Sequence, residues 1–160
     1  MNESLCRGVT VREATERDAE LLLGWRNDPD TRRWSRSTEA VEPAQHLRWL
    51  RGVLDSPDRL LFVAEHGAAV GTVRFDRLPD AERTWEVSIT VAPEHRGRGL
   101  AGAILAAGEQ ALHRLHAARS VLASVHEGNA ASLALFHRAG YADMPATGPF
   151  RLLSKALEDR

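Results

Sequence analysis

Apolar and polar positions alternate along this chain with two different periods, and the change from one to the other marks its most informative stretch. Val87, Ile89 and Val91 alternate with Ser88 and Thr90, a period of two in β-branched residues that predicts a half-buried strand, and Pro93 ends it. From Gly99 onward Leu100, Ile104, Leu105, Leu112 and Leu115 recur at helical spacing, so the run His95-Arg96-Gly97-Arg98-Gly99 falls in the turn that opens a helix.

The same periods divide the rest of the chain. Val9 and Val11 belong to a first strand. Thr15-Glu16-Arg17-Asp18 has the form of a capping box with Asp in place of the usual Glu, and it opens a helix over about 18–25 whose buried stripe is Leu21, Leu22 and Trp25. The run Arg26-Asn27-Asp28-Pro29-Asp30 breaks that helix. Pro43 suits a first helical position, and Leu47, Leu50, Val53 and Leu54 make the inner face of a helix that ends at Ser56-Pro57. Apolar, β-rich runs at 60–65 and 69–75, joined through His66-Gly67, predict a hairpin, and polar residues 76–83 lead to the strand that begins near Thr84. Beyond the long helix, 121–125 is a strand, Asn129 opens a helix with Gly140 at its C-terminal cap, and 150–155 is a last strand. The order β-α-α-β-β-β-α-β-α-β, without repeat, linker or low-complexity stretch, predicts a single α+β domain over residues 1–160 built on a mixed α/β sheet.

Charge narrows the classes of partner. With 21 Lys and Arg against 22 Asp and Glu the formal net charge is -1, so no basic excess drives binding to nucleic acid. Basic residues are instead concentrated at Arg32, Arg33 and Arg36 and again at His95, Arg96 and Arg98, a distribution suited to a small anionic ligand. The single cysteine, Cys6, cannot form an internal disulfide and has no neighbouring motif that makes it a nucleophile. Residues 1–8 lack the apolar core of roughly 7–15 residues that a secretion signal carries, and no run approaches the ~18 apolar residues of a membrane span. The expectation is a cytoplasmic protein with no membrane, nucleic-acid or metal partner.

A helix start leaves backbone N–H groups without internal partners and carries partial positive charge, so it can hold an anion. Gly97, Gly99 and Gly102 remove Cβ atoms that would keep a large anion off this backbone, which points to phosphate or pyrophosphate. The order Arg96-x-x-Gly99-x-Ala101 after a β-branched strand resembles the acetyl-CoA pyrophosphate motif of the GCN5-related N-acetyltransferase (GNAT) superfamily. Downstream, Asn129-Ala130-Ala131-Ser132-Leu133-Ala134-Leu135-Phe136-His137-Arg138-Ala139-Gly140-Tyr141 resembles the second signature of that superfamily, an Asn-led helix closing in Gly-aromatic. The resemblance spans roughly residues 9–155. It implies the GNAT fold: a mixed six- or seven-stranded sheet flanked by about four helices and splayed between its fourth and fifth strands to admit pantetheine. It also implies acetyl-CoA as co-substrate. Backbone amides of Arg96, Gly97, Arg98, Gly99, Leu100 and Ala101 would hold its pyrophosphate, the backbone of Val91 would pair with its pantetheine, and the Asn129 side chain would bind it while also capping a helix.

Acetyl transfer from a thioester to an amine needs a deprotonated amine, stabilisation of charge on the carbonyl oxygen and a proton for the departing thiolate. Glu86 is the expected general base: it sits on the central strand, on the face opposite Val87, Ile89 and Val91, where family members often place a carboxylate beside the acceptor amine. Many members place a tyrosine seven residues after the motif asparagine as the acid, but this chain has Phe136 there, which leaves Ser132, His126 or water as proton donors and Tyr141 as core. The first two helices and their loop would wall the acceptor pocket, with Arg26, Arg32, Trp34 and His46 as substrate-binding candidates and Trp25 and Trp49 read as helix core. The run from Trp25 to Trp34, with His46-x-x-Trp49, is similar to GNAT members that acetylate amino-sugar nucleotides, such as the pseudaminic acid pathway enzymes. It also echoes members acting on ribosomal-protein N-termini and on aminoglycosides, although polycationic acceptors call for acidic pockets. The expected activity is direct acetyl transfer to a primary amine of a small molecule, with an amino-sugar nucleotide as favoured acceptor. The alternatives are a protein Nα-acetyltransferase of ribosomal type and a noncatalytic acyl-CoA-binding domain; a homodimer is left open.

Overall fold

The computed structural model describes residues 8–157, so Cys6 and the remainder of residues 1–7 lie outside it. The strands are β1 (Thr10–Glu13), β2 (Arg59–Glu65), β3 (Ala69–Arg77), β4 (Thr84–Val91), β5 (Ser120–His126), β6 (Ala142–Met144) and β7 (Phe150–Ala156). The helices are α1 (Ala19–Arg26), α2 (Pro29–Arg33), α3 (Pro43–Asp55), α4 (Leu100–His116) and α5 (Ala130–Arg138). All seven strands form one sheet in the order β1-β2-β3-β4-β5-β7-β6. Among the described residues only β4 and β5 run parallel, and α4 is the crossover that parallel neighbours require. The expected mixed sheet is therefore present, with α2 as a helix beyond the expected four.

The apolar run of β2 follows from burial on both faces. Leu60, Phe62 and Ala64 pack with Val73, Phe75, Trp85 and Val87 under Ile104, Leu105 and Leu112 of α4 and Phe136 of α5. Leu61 and Val63 point the other way, onto Leu22 and Trp25 of α1 and Leu50 and Val53 of α3. Two faces buried at once produce a continuous apolar stretch where one buried face would produce alternation. Helix α4 lies close on the sheet: a Cβ at Gly108 would stand 2.7 Å from Val73 Cγ1.

Several expectations shift by a residue or two. In α3 the inner face is His46, Leu50 and Val53, while Leu54 is exposed and Leu47 only half-buried. These positions are i, i+4 and i+7, so the helix phase set by Leu50 overrides the preference for the more apolar Leu47 and Leu54. In α1 Leu22 and Trp25 are buried but Leu21 faces solvent, as does Leu115 in the last turn of α4. Asp76, read as part of a polar connector, lies in β3, where it pairs with Arg59 (2.9 Å) and Arg74 (3.0 Å) on the face opposite Val73 and Phe75. The cap before α1 forms as expected: Thr15 N donates to Asp18 Oδ2 at 2.8 Å, and Asp18 also takes a two-pronged contact from Arg12. The Arg12 hydrogen bonds, opposed by burial and helped by the Thr15 N–H, hold the Asp18 carboxyl below the usual carboxylate range. None of the helices among the described residues is long and apolar enough to cross a membrane.

Candidate active site

The parallel pairing of β4 and β5 runs from Thr84 opposite Ser120 only as far as Val87 opposite Ala123. Beyond that point β4 continues to Val91 paired with β3 alone, and β5 continues to His126 paired with β7 alone. The strands part, and the opening is the head of a cleft of about 2050 Å³ lined by Glu86, Val91, the glycine turn and Asn129. Single-ligand pockets run to ~300–1,000 Å³, so this cleft has room for two substrates side by side.

At one end lies the turn between β4 and α4. Gly97 (φ +78) and Gly99 (φ +71) are in the left-handed region, and a Cβ at either would project into open space. The turn lies at the N-terminus of a 17-residue helix, where unpaired N–H groups and the helix dipole favour an anion. The arginine side chains of the turn are engaged elsewhere: Arg98 Nη1 meets His95 Nδ1 at 3.3 Å, and Arg96 Nη2 donates to Asp28 Oδ2 at 2.9 Å and to Thr31 Oγ1 at 3.0 Å. Partial burial pushes the Asp28 carboxyl up, but the hydrogen bonds from Arg96 and from Thr31 N outweigh it and hold the group below the usual carboxylate range. Across the cleft, Asn129 Oδ1 accepts from Ser132 N at 3.2 Å, so it caps α5, and both residues line the cleft.

Glu86 lies just before the strands part, in register with Asp76 of β3 and Leu122 of β5. Its carboxylate is 29% exposed within the cleft, with Oε2 3.5 Å from Arg36 Nη2. The same face carries Arg74, whose Nη2 reaches Ser88 Oγ at 3.4 Å. His126 stands on the β5 side with its ring between Trp34 and Phe150, both at 5.4 Å, and its Nδ1 accepts from Gly128 N at 3.0 Å, which leaves Nε2 to carry the proton of the neutral ring. Phe136 is buried and packs edge-on against Tyr141 at 5.0 Å. The Tyr141 hydroxyl is also buried and donates to Glu109 Oε2 at 2.7 Å, while Lys155 Nζ donates to Glu109 Oε1 at 2.7 Å. Burial and the Glu109 carboxylate push the phenol far above its ordinary range, so Tyr141 is core, as its place in the Gly-aromatic ending implies.

Of the residues expected to bind the acceptor, Arg26 and Trp34 line the cleft; Arg32 and His46 are not among the lining residues. Arg26 Nη2 donates to Ser37 O at 3.1 Å, whereas Arg26 Nη1 and Arg32 Nε are buried without a partner. Burial, and after it the neighbouring Arg32 and Arg74, disfavour the charged form of Arg26. His46 stacks on Trp49 at 5.5 Å, and burial followed by the charge of Arg26 lowers its pKa. Two contributors, Arg74 and Phe150, escaped the sequence reading. Arg74 was signalled by a charge between Val73 and Phe75 within a strand. Phe150 opens β7. Asn27 holds the base of the 28–40 loop, its Oδ1 accepting from Val41 N (2.7 Å) and its Nδ2 donating to Val41 O (2.9 Å).

The family model described as acetyltransferase (GNAT) domain matches residues 9–142. No curated protein sequence is significantly similar to the chain. Among solved structures, a spermidine N-acetyltransferase from Vibrio cholerae in complex with CoA and spermine superposes with a TM-score of 0.84 at 15% identity, over 94% of this chain and 96% of that one. A ribosomal-protein-alanine N-acetyltransferase from Brucella melitensis is similar at a TM-score of 0.76 and 24% identity, covering 92% and 99%. An aminoglycoside acetyltransferase in complex with coenzyme A reaches a TM-score of 0.80 at 17% identity, covering 92% and 94%. These likenesses are of fold, and the motif-bearing cleft joins them to the sequence family: the chain belongs to the GNAT acetyltransferases, N-acetyltransferases that use acetyl-CoA as co-substrate.

Proposed function

We propose that the cleft transfers an acetyl group from acetyl-CoA directly to a primary amine of a small anionic molecule, with an amino-sugar nucleotide as the acceptor. The observation that carries this reading is the sharing of one cleft by the glycine turn and the Glu86 carboxylate, with the parting of β4 and β5 between them. Backbone amides of 96–101 hold the pyrophosphate, Val91 pairs with the pantetheine, and Asn129 contacts the cofactor from the far wall. Glu86 takes the proton of the attacking amine, directly or through one water. The departing thiolate is protonated by Ser132, His126 or water, since Phe136 has no proton to give.

The acceptor class follows from the charge of the wall. Arg26, Arg36 and Arg74 line the acceptor side with Trp34, and aromatic faces stack on sugars or bases while guanidinium groups bind phosphate. The carboxylates that line the cleft, Asp30, Asp76, Glu86 and Glu109, are each paired with an arginine or lysine, which leaves a polycation no free acidic wall and separates this acceptor site from the spermine and aminoglycoside chemistry that the names of two structural neighbours carry. The test is incubation with acetyl-CoA and amino-sugar nucleotides, N-terminal peptides, spermidine and an aminoglycoside, following thiol release and product mass. Acetylation confined to the amino-sugar nucleotides bears out the proposal. Acetylation of peptides assigns a protein Nα-acetyltransferase instead, and CoA binding without turnover on any acceptor favours a noncatalytic domain.

A further inference from the structure

The side chain of Arg96 does not stay with the turn to which it belongs. It crosses to α2, 65 and 68 residues earlier in the chain, where Nη2 donates to Thr31 Oγ1 at 3.0 Å and to Asp28 Oδ2 at 2.9 Å, and Nη1 stands 3.5 Å from Asp30 Oδ2. Asp28 is at the same time the cap of α2, its Oδ2 accepting from Thr31 N at 3.2 Å. At the far end of the same segment Trp34 packs on His126 at 5.4 Å and Arg36 reaches Glu86 at 3.5 Å. The segment is thus tied to the glycine turn at Asp28 and to the β5 side and the candidate base at Trp34 and Arg36. A five-residue helix such as α2 has little stability of its own, so its position depends on these ties.

We infer that Arg96 is a positioning residue that couples the two substrate sites, its guanidinium fixing the acceptor-side segment 28–36 to the turn that binds the cofactor. The inference rests on the proposed cofactor site. Ordering the backbone of Gly97 and Gly99 around an anion orders the arginine beside them, and the contacts to Asp28, Thr31 and Asp30 carry that order into α2. Filling the turn thereby steadies the acceptor wall at Trp34 and Arg36 as well.

Hydrogen exchange read by mass spectrometry over residues 30–36, with and without saturating CoA, tests this, alongside calorimetric titration of CoA. In the wild-type protein CoA slows exchange of this segment by about tenfold. Arg96→Met, held at CoA concentrations that calorimetry shows to saturate it, raises exchange of 30–36 in the free protein and abolishes the slowing by CoA. Asp28→Asn keeps the helix cap, because Asn caps as well as Asp, and leaves every atom of the turn in place. It binds CoA as the wild type does and keeps the acceptor oxygen without its charge, so it loses part of the slowing, and Arg96→Lys likewise retains part of it. A merely structural role for Arg96 would raise exchange equally in both states and leave the response to CoA intact, and that result overturns the inference. So does a wild-type protein that binds CoA with no change at 30–36. Failure of the wild type to bind CoA at all overturns the cofactor site and the coupling with it.

Discussion

Replacing Tyr141 by Phe separates a structural phenol from a catalytic one. The hydroxyl is buried and gives its only proton to Glu109 Oε2 at 2.7 Å. Glu109, 7% exposed, has Lys155 Nζ as its other donor, also at 2.7 Å. Phenylalanine fills the same ring volume, so no cavity term enters. What is lost is one hydrogen bond to a buried charged group, about 1.5–3 kcal/mol, and because Lys155 stays in place the carboxylate is not stranded, so about 2 kcal/mol is the expected cost. For a chain of this length each kcal/mol lowers Tm by roughly 2–4 °C, so Tyr141→Phe melts about 4–8 °C below wild type, measured by thermal denaturation with the urea midpoint as a second probe. Turnover at a temperature where both proteins are folded stays within about twofold of wild type, because a general acid contributes ~10²–10⁴ and this phenol contributes none. A loss of kcat of a hundredfold with unchanged Tm would refute the reasoning and make Tyr141 the acid that Phe136 cannot be.

Glu86→Gln lowers kcat by about 10²-fold or more at neutral pH, with CoA affinity preserved and activity partly regained as pH rises and the amine loses its proton unaided; equal activity across pH removes Glu86 as base. His46 gives the protein an acid-sensitive step. Its folded pKa lies below the unfolded value of 6.5, because burial and then Arg26 disfavour the charged ring. The unfolded chain therefore binds the proton first, and stability falls as pH drops below about 6.5, by at most ~1.4 kcal/mol per pH unit. Urea unfolding at pH 7.5 and 5.5 detects this, and His46→Leu flattens the difference; an unchanged pH dependence in that variant assigns the step to another group.

What the sequence makes legible is what neighbouring residues decide together. The alternation of Val87, Ile89 and Val91, the left-handed glycines of the turn and the Asn129 cap are local patterns, and each lies where its pattern places it. The parting of β4 and β5 came through the family resemblance, since nothing in the residues of either strand announces it. Strand β6 has three exposed residues, Ala142, Asp143 and Met144, and exists through its pairing with Leu152 to Ser154 of β7. Helix α2, the choice of His46 over Leu47 for the inner face, and the reach of Arg96 to Asp28 all depend on partners remote in the chain. The acceptor wall is the part least legible, because Arg74 and Phe150 come to it from strands whose periods report burial and say nothing of which polar face meets the cleft.

The claim on which the rest stands is that the glycine turn and the parted strands form the acetyl-CoA site. Gly99→Glu places bulk and negative charge in the glycine turn, at a backbone conformation that L side chains rarely adopt. Calorimetric titration of CoA into wild-type protein and into Gly99→Glu, with circular dichroism to verify the fold of both, tests the claim most directly. Wild-type protein taking up one equivalent of CoA per chain and a folded Gly99→Glu taking up none is the predicted result. Undiminished binding by the folded variant would contradict the account.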